Sequence, residues 1–490
     1  MTNPLNGSDY FLVIGGGYSP TGNQASLEKN VLFFQRLLQQ QALDDRPLDI
    51  LFADGFSEGH DLQVNDLASI PLANRLMAEF FGTTRDLGMH YRSHLVPNIR
   101  GATSPQNIAK WFKDVGRKMQ SNDRLILYVT AHGGKSSDRN KPQNTTIYLW
   151  NNQKIRVSDL VKYLDGLPHG VAVVTVMVQC HSGGFARFIF NDASKDKGLS
   201  NRSRCGFFAT LHNRPAAGCT SDIDEANYQE YSSFFWAAIG GQSRIGESID
   251  RPDYDGDGKI SFEEAHAYTI LTSNTIDLPI KTSGEFLRVY SKFGKDNNDD
   301  DGLLVKQLPY SQLLELAGPV QRILLETLSK QLQLEGDDRM KEAVSKSRVR
   351  GPRGRRTLSP VGQLKLRIAN DLKKKWPELA NVLSPVSIEL VTTRNVEFIK
   401  ALEGHPKFNE YRRLQVAARR KAKDTISPDR LRVKYERWVR VAENVILAEN
   451  LHRVTSSERQ EQYQQLLTAE RGSLTTNTTA ESPVAQVDSQ

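Results

Sequence analysis

The segment Val171–Val178 reads Val-Ala-Val-Val-Thr-Val-Met-Val and stops at Gln179-Cys180-His181-Ser182-Gly183. It is far shorter than the roughly 18 apolar residues of a membrane span. It is also too uniformly apolar for a strand with one wet face. Such a run is a strand covered on both sides, the condition of a parallel sheet between layers of helices. Three more runs repeat the pattern, and each ends at small or turn-forming residues. Tyr10–Ile14 runs into Gly15-Gly16-Gly17, Leu48–Phe52 into Ala53-Asp54-Gly55, and Arg124–Thr130 into Ala131-His132-Gly133-Gly134. Phe207–Leu211 is a further strand. Between the strands, Leu27–Leu38, Ile108–Met119, Val157–Leu164 and Ser232–Ile239 follow helical spacing. This alternation over the first 300 residues predicts an α/β domain with a mostly parallel sheet flanked by helices.

Beyond Pro309 the period changes. Leu313, Leu316, Val320, Leu324 and Leu328 fall on one helical face, with Pro319 placed to kink or restart the helix. Leu431, Tyr435, Trp438, Ala442 and Val445 do the same, while Val386–Val391 carries a strand signal. The chain of 490 residues has room for two or three domains. Its order suggests an α/β domain over 8–305, a helical segment over 306–347, a basic linker over 348–360 and a basic helical region over 361–470. A Ser/Thr-rich tail over 471–490 reads as disordered.

The formal charge of +7 conceals a division. Residues 341–440 hold 26 Lys and Arg against 10 Asp and Glu, a net of +16, which leaves −9 for the rest. A field of that sign can hold an acidic protein or nucleic acid, and it is equally the solvated surface of basic helices. No stretch is long enough to span a membrane, and no basic n-region with an apolar core opens the sequence, so a cytoplasmic setting is expected. Three cysteines (Cys180, Cys205 and Cys219) suit a reducing compartment better than a disulfide scaffold.

Ligand sites in open α/β sheets gather at the carboxyl ends of strands. Two strands here deliver reactive side chains there, His132 followed by two glycines and Cys180 followed by His181, Ser182 and Gly183. A thiol nucleophile needs a proton carrier such as imidazole, and amide cleavage needs N–H donors for the oxyanion. Glycines at both places let a substrate backbone come close. Taken singly, the Cys is an ordinary small hydrophobe and the His an ordinary turn residue. Together they have the parts of a cysteine hydrolase.

Asp253-Tyr-Asp255-Gly-Asp257-Gly258-Lys259-Ile260-Ser261-Phe-Glu-Glu264 fits the twelve-residue EF-hand loop. Carboxylates stand at loop positions 1, 3 and 5, Gly258 at 6, Ser261 at 9 and Glu264 at 12, with the Lys259 carbonyl at 7. These are the oxygens Ca²⁺ requires. The bland alternative is an acidic turn capping the helix that starts at Ser261. A second acidic run, Asp296–Gly302, has Leu308 where the closing Glu would stand and reads as a solvated loop.

Tyr128-Val-Thr-Ala-His132-Gly133 and Val176-Met-Val-Gln-Cys180-His-Ser-Gly183 resemble the caspase-like cysteine peptidases, the group of caspases, metacaspases and legumains. The likeness spans roughly residues 8–290. It implies a protein or peptide substrate attacked by Cys180, His132 as the acid that protonates the leaving amine, and the N–H groups of Gly133 and Cys180 as oxyanion donors. It assigns no catalysis to His181. Metacaspases and legumains carry an acidic residue two before the nucleophile, where this chain has Val178. A different expectation is a catalytically inactive caspase-like scaffold that binds an acidic partner through its basic helices.

Overall fold

The computed structural model describes residues 7–295, 302–349 and 358–474. Seven strands form the main sheet: β1 (Asp9–Gly16), β2 (Leu48–Phe52), β3 (Ile99–Gly101), β4 (Arg124–Ala131), β5 (Ala172–Met177), β6 (Arg204–Phe208) and β7 (Ile280–Lys281). Their order across the sheet is β7-β6-β5-β4-β1-β2-β3. All neighbours are parallel except the short edge strand β7, which runs antiparallel to β6. The apolar runs are the central strands, and β4 is buried along all but its first residue.

Both faces are covered, as continuous apolar strands require. On one face lie α1 (Ala25–Gln40) and α5 (Tyr231–Gly240), where the Phe34 ring is 4.6 Å from Trp236, 5.3 Å from Tyr128 and 5.8 Å from Phe11. Asp49, in register with Leu12, points to the other face and accepts from Trp111 Nε1 of α3 (Pro105–Asp114) at 2.7 Å. Phe112 of α3 then stacks on Tyr163 of α4 (Val157–Asp165). Two differences from the expected elements are small. Helix α3 stops at Asp114 and continues only as a 3₁₀ turn over Gly116–Lys118. Strand β6 covers Arg204–Phe208, shifted toward the N-terminus from the expected Phe207–Leu211.

The Val386–Val391 signal is a correction, because the segment is helical. Ser384 caps it by accepting from Ser387 N, and Pro385 takes the first helical position, where its missing N–H costs nothing. A cap and Pro at the start outweigh a short run of β-branched residues. At Pro319 the chain restarts, since α8 (Tyr310–Leu316) ends before it and α9 (Pro319–Leu332) begins on it.

The division expected from chain order does not match the packing. Helices α11 (Pro360–Lys375), α12 (Pro385–Val391), α13 (Asn395–Glu403) and α14 (Phe408–Asp424) share a core with α2 (Leu72–Phe80), from the N-terminal part. Helices α15 (Pro428–Val454) and α16 (Ser457–Glu470) belong elsewhere. The first packs with α8, α9 and α10 (Arg339–Arg348), and both reach the sheet core through Leu447, Leu451, Tyr463 and Leu466. The start of the expected tail is also built in. Phe262 N donates to the Gly472 carbonyl, and Leu474 is buried. The acidic run 296–301, residues 350–357 of the linker and the tail from 475 lie outside the described residues. Among the described residues, no helix is long and apolar enough to cross a membrane.

Candidate active site

Strands β4 and β5 are adjacent and parallel, so the residues that leave their carboxyl ends must emerge at the same edge. The two strand ends touch. A Cβ built on Gly133 would sit 2.0 Å from the Cys180 carbonyl oxygen and 2.6 Å from Gln179 Cγ. Only glycine tolerates that approach. The structure therefore brings His132, Gly133 and Cys180 together, as a shared strand edge requires. His181 has a left-handed backbone (φ +63°) and is engaged elsewhere. Its Nδ1 lies 2.9 Å from the His212 carbonyl, and its N–H donates to Arg214 O, so it holds the loop beyond β6.

His132 is oriented from behind. Its Nε2 is 2.8 Å from the Gly22 carbonyl. A carbonyl only accepts, so Nε2 carries the hydrogen and Nδ1 presents its lone pair to the site. Burial lowers the pKa of this imidazole, opposed in part by the Gly22 bond. The Tyr18 ring packs edge-on against it at 5.2 Å.

The sulfur beside Nδ1 is Cys219 Sγ, at 3.7 Å. Cys180 Sγ instead accepts from Ala216 N at 3.3 Å. Burial pushes the Cys219 thiol well up, with the charges of Glu230 and Cys180 adding to it. Cys219 is thus held as a neutral thiol, the form that does not attack. Nothing in the sequence pointed to it, since Gly218-Cys219-Thr220 lies in a loop with no periodic pattern. Cys205 is buried in β6.

The loop 211–220 that carries Ala216 and Cys219 is propped from the C-terminal region. Ala217 N donates to Asp277 Oδ1 at 2.6 Å. Behind Asp277, the buried guanidinium of Arg437 on α15 reaches five acceptors: the carbonyls of Ile270, Ser273, Thr275 and Asp277, and Thr275 Oγ1. Ile270 belongs to the last turn of α6 (Phe262–Thr272), where carbonyls lack helical partners and a cation is favoured. Glu436, one residue earlier, pairs with Arg214 of the same loop.

In the loop 253–264, carboxylate oxygens of Asp253, Asp255 and Asp257 lie within 4.8 Å of one another. Glu264 turns back into the loop, with Oε1 accepting from Tyr254 N and Asp255 N and Oε2 from Ser261 N and Oγ. Ser261 and Glu264 also form the capping box of α6. Convergent carboxylates and a back-turned Glu are an oxygen donor set of the kind Ca²⁺ takes, with the Lys259 carbonyl and Ser261 at positions 7 and 9.

Acidic residues downstream of β6 are otherwise occupied. Asp222 and Asp224 accept from Asn227 Nδ2, and Glu225 pairs with Lys29, Arg36 and Arg244. Val178 is buried.

Set against known protein families the chain matches none, and no curated protein matches it. A solved structure with some likeness is protein GSU0716 from Geobacter sulfurreducens. It is 11% identical over 56% of this chain and 92% of that one, with a TM-score of 0.30. A TM-score that low says nothing about chemistry. What the fold defines is an α/β protein whose mostly parallel sheet presents a thiol and an imidazole at neighbouring strand ends.

Proposed function

We propose that this chain is a caspase-like cysteine endopeptidase. The reading is carried by the contact of the His132-Gly133 strand end with the Cys180 backbone. In this scheme Cys180 loses its proton to His132 Nδ1 and its sulfur attacks the scissile carbonyl carbon. The N–H groups of Gly133 and Cys180 receive the oxyanion. The C–N bond then breaks, the amine takes the proton from His132, and water hydrolyses the thioester. The Cys180 sulfur must leave Ala216 and face Nδ1 for the first step. The Gly22 carbonyl keeps the imidazole in the required tautomer. Asp253, Asp255, Asp257, the Lys259 carbonyl, Ser261 and Glu264 would hold Ca²⁺, which would brace the loop at the start of α6. With Val178 two before the nucleophile, and Asp222, Asp224 and Glu225 already engaged, the pocket would select a neutral residue over Arg or Lys.

Cleavage of a peptide library should be abolished in Cys180→Ala and in His132→Ala, with the double variant no worse than either single. Normal turnover by Cys180→Ala would overturn the assignment. One observation favours a second reading, an inactive scaffold: the thiol at Nδ1 is Cys219, not Cys180. An electrophilic peptide probe separates the two. Labelling of Cys180 that needs His132 supports the enzyme, and no labelling supports the scaffold.

A further inference from the structure

The loops beyond β2 bring together a second set of ligating side chains that the peptidase chemistry does not use. Asp54 stands just past β2, and Asp61 and His94 reach the same place from later in the chain. One ligand atom from each lies within 4.8 Å of the other two. Asp61 is 2% exposed. Its Oδ1 accepts from His94 N and its Oδ2 from Asn23 Nδ2, both at 2.9 Å.

His94 Nε2 is 3.0 Å from the Gly55 carbonyl, which can only accept, so Nε2 carries the hydrogen and Nδ1 is a bare lone pair. That Nδ1 is buried with no hydrogen-bond partner, and so is Asp54 Oδ1. Buried polar atoms are almost always paired. Here two acceptors stand unpaired beside a second carboxylate.

We propose that Asp54, Asp61 and His94 form a binding site for a divalent first-row transition ion of the zinc type, taken by His94 through Nδ1. A cation answers all three acceptors at once. Imidazole beside carboxylates suits zinc and its neighbours, whereas Ca²⁺ takes oxygen alone. A ring N–H donated to a backbone carbonyl is the outer bond that usually orients a metal-binding imidazole. Three protein ligands leave a coordination position for water. The competing arrangement is a proton shared by the two carboxylates, since burial and the Asp61 charge push Asp54 up to about 6.

The site borders the catalytic imidazole. Asn23, which donates to Asp61, also accepts from Gly17 N at 3.0 Å, and its neighbour Gly22 supplies the carbonyl that holds His132. A bound ion would tie the loops beyond β2 to that turn. The site itself stands whether or not Cys180 is a nucleophile.

The test uses the full chain, stripped of metal and then saturated with Ca²⁺ to fill the loop 253–264. Zn²⁺ titration by calorimetry should give one site, weakened on the order of 100-fold or more in Asp54→Asn and in His94→Ala. Co²⁺ should give visible d–d bands without a thiolate charge-transfer band, and the same spectrum in Cys180→Ser/Cys219→Ser. The Co²⁺ spectrum of the wild type decides the matter even if a variant fails to fold. Zn²⁺ affinity unchanged in both ligand variants, no Zn²⁺ binding at all, or a thiolate band lost with the cysteines would each overturn the proposal.

Discussion

Residues 360–424 and 428–470 are both helical stretches from the basic part of the chain, and they solve the problem of charge in opposite ways. The first holds 14 Lys and Arg against 7 Asp and Glu, and the second 7 against 7. In the first, pairs such as Lys374–Asp371, Lys375–Glu397, Arg394–Glu397 and Lys407–Glu410 stay within the stretch, on its surface. Arg412 reaches out, to Glu79 of α2. In the second, Asp429, Arg430 and Arg453 stay exposed, but other charged groups reach into the α/β body. Arg440 meets Glu285, and Glu443 meets Arg288. Glu470 is wholly buried and accepts from Lys281, Thr282 and Ser283 at the start of α7 (Thr282–Tyr290). A carboxylate there satisfies free N–H groups and the helix dipole together. Charge excess thus marks the helices laid on the outside, and charge balance marks those that complete the core.

The sharpest break of this comparison is at Arg437. Replacing it with Met takes the guanidinium away from five buried acceptors, of which Thr275 Oγ1 keeps the Asp277 N–H, and removing one side of a buried charged network costs about 4 kcal/mol. Urea unfolding should show a loss of that size. Arg437→Lys should recover little, because an ammonium offers three donors where five acceptors are arrayed. If Arg437→Met is neutral, α15 is no more built in than α11–α14.

A smaller effect is expected at Leu402, fully buried between α13 and α2. Leu402→Ala should cost about 3 kcal/mol where it packs. The loss should stay local. Hydrogen exchange should rise in α2 and α11–α14 and not in β4 or β5. Faster exchange across the central strands would show that the outer helices and the sheet unfold as one unit.

The sheet was legible because strands buried on both faces are apolar almost throughout, as Val171–Val178 is apart from Thr175. That His132 and Cys180 each leave the carboxyl end of a strand was legible from the apolar runs before them, whereas the adjacency of the two strands was not. Cys219, Arg437 and the Asp54/Asp61/His94 group were not. Cys219 and Arg437 meet their partners across a long separation in sequence, 87 residues to His132 and 160 to Asp277, and His94 joins the two aspartates from a later loop. Local periodicity carries no information on such pairings. Arg437 was hidden further by composition, since an Arg among so many reads as solvated surface. The segment 386–391 misled for the opposite reason, a local β signal overruled by a local cap.

The mildest test concerns acids rather than cations. Asp277, which holds Ala217 and sits against Arg437, is pushed up to about 6 by burial, against which the Ala217 N–H and Arg437 pull down. Its Oδ2 is buried without a partner, which gives the extra proton a place. The folded protein therefore binds that proton more tightly than the unfolded chain, whose Asp titrates near 4. The stabilisation is complete below about pH 4 and is lost as pH rises through about 6. The full difference amounts to no more than about 2–3 kcal/mol, and solvent relaxation reduces it. Asp277→Asn keeps an oxygen for Ala217 N and cannot titrate. The stability of wild type relative to this variant should accordingly fall between pH 4 and 6.5. Glu397, on α13, is the matched control. Its pairing with Arg394 is on the surface, so Glu397→Gln should leave stability nearly unchanged across the same pH range. Equal pH slopes for the two variants would mean that the acid behind the loop 211–220 is as solvated as one on the outer helices, and the contrast between the two halves would fail at the point nearest the candidate site.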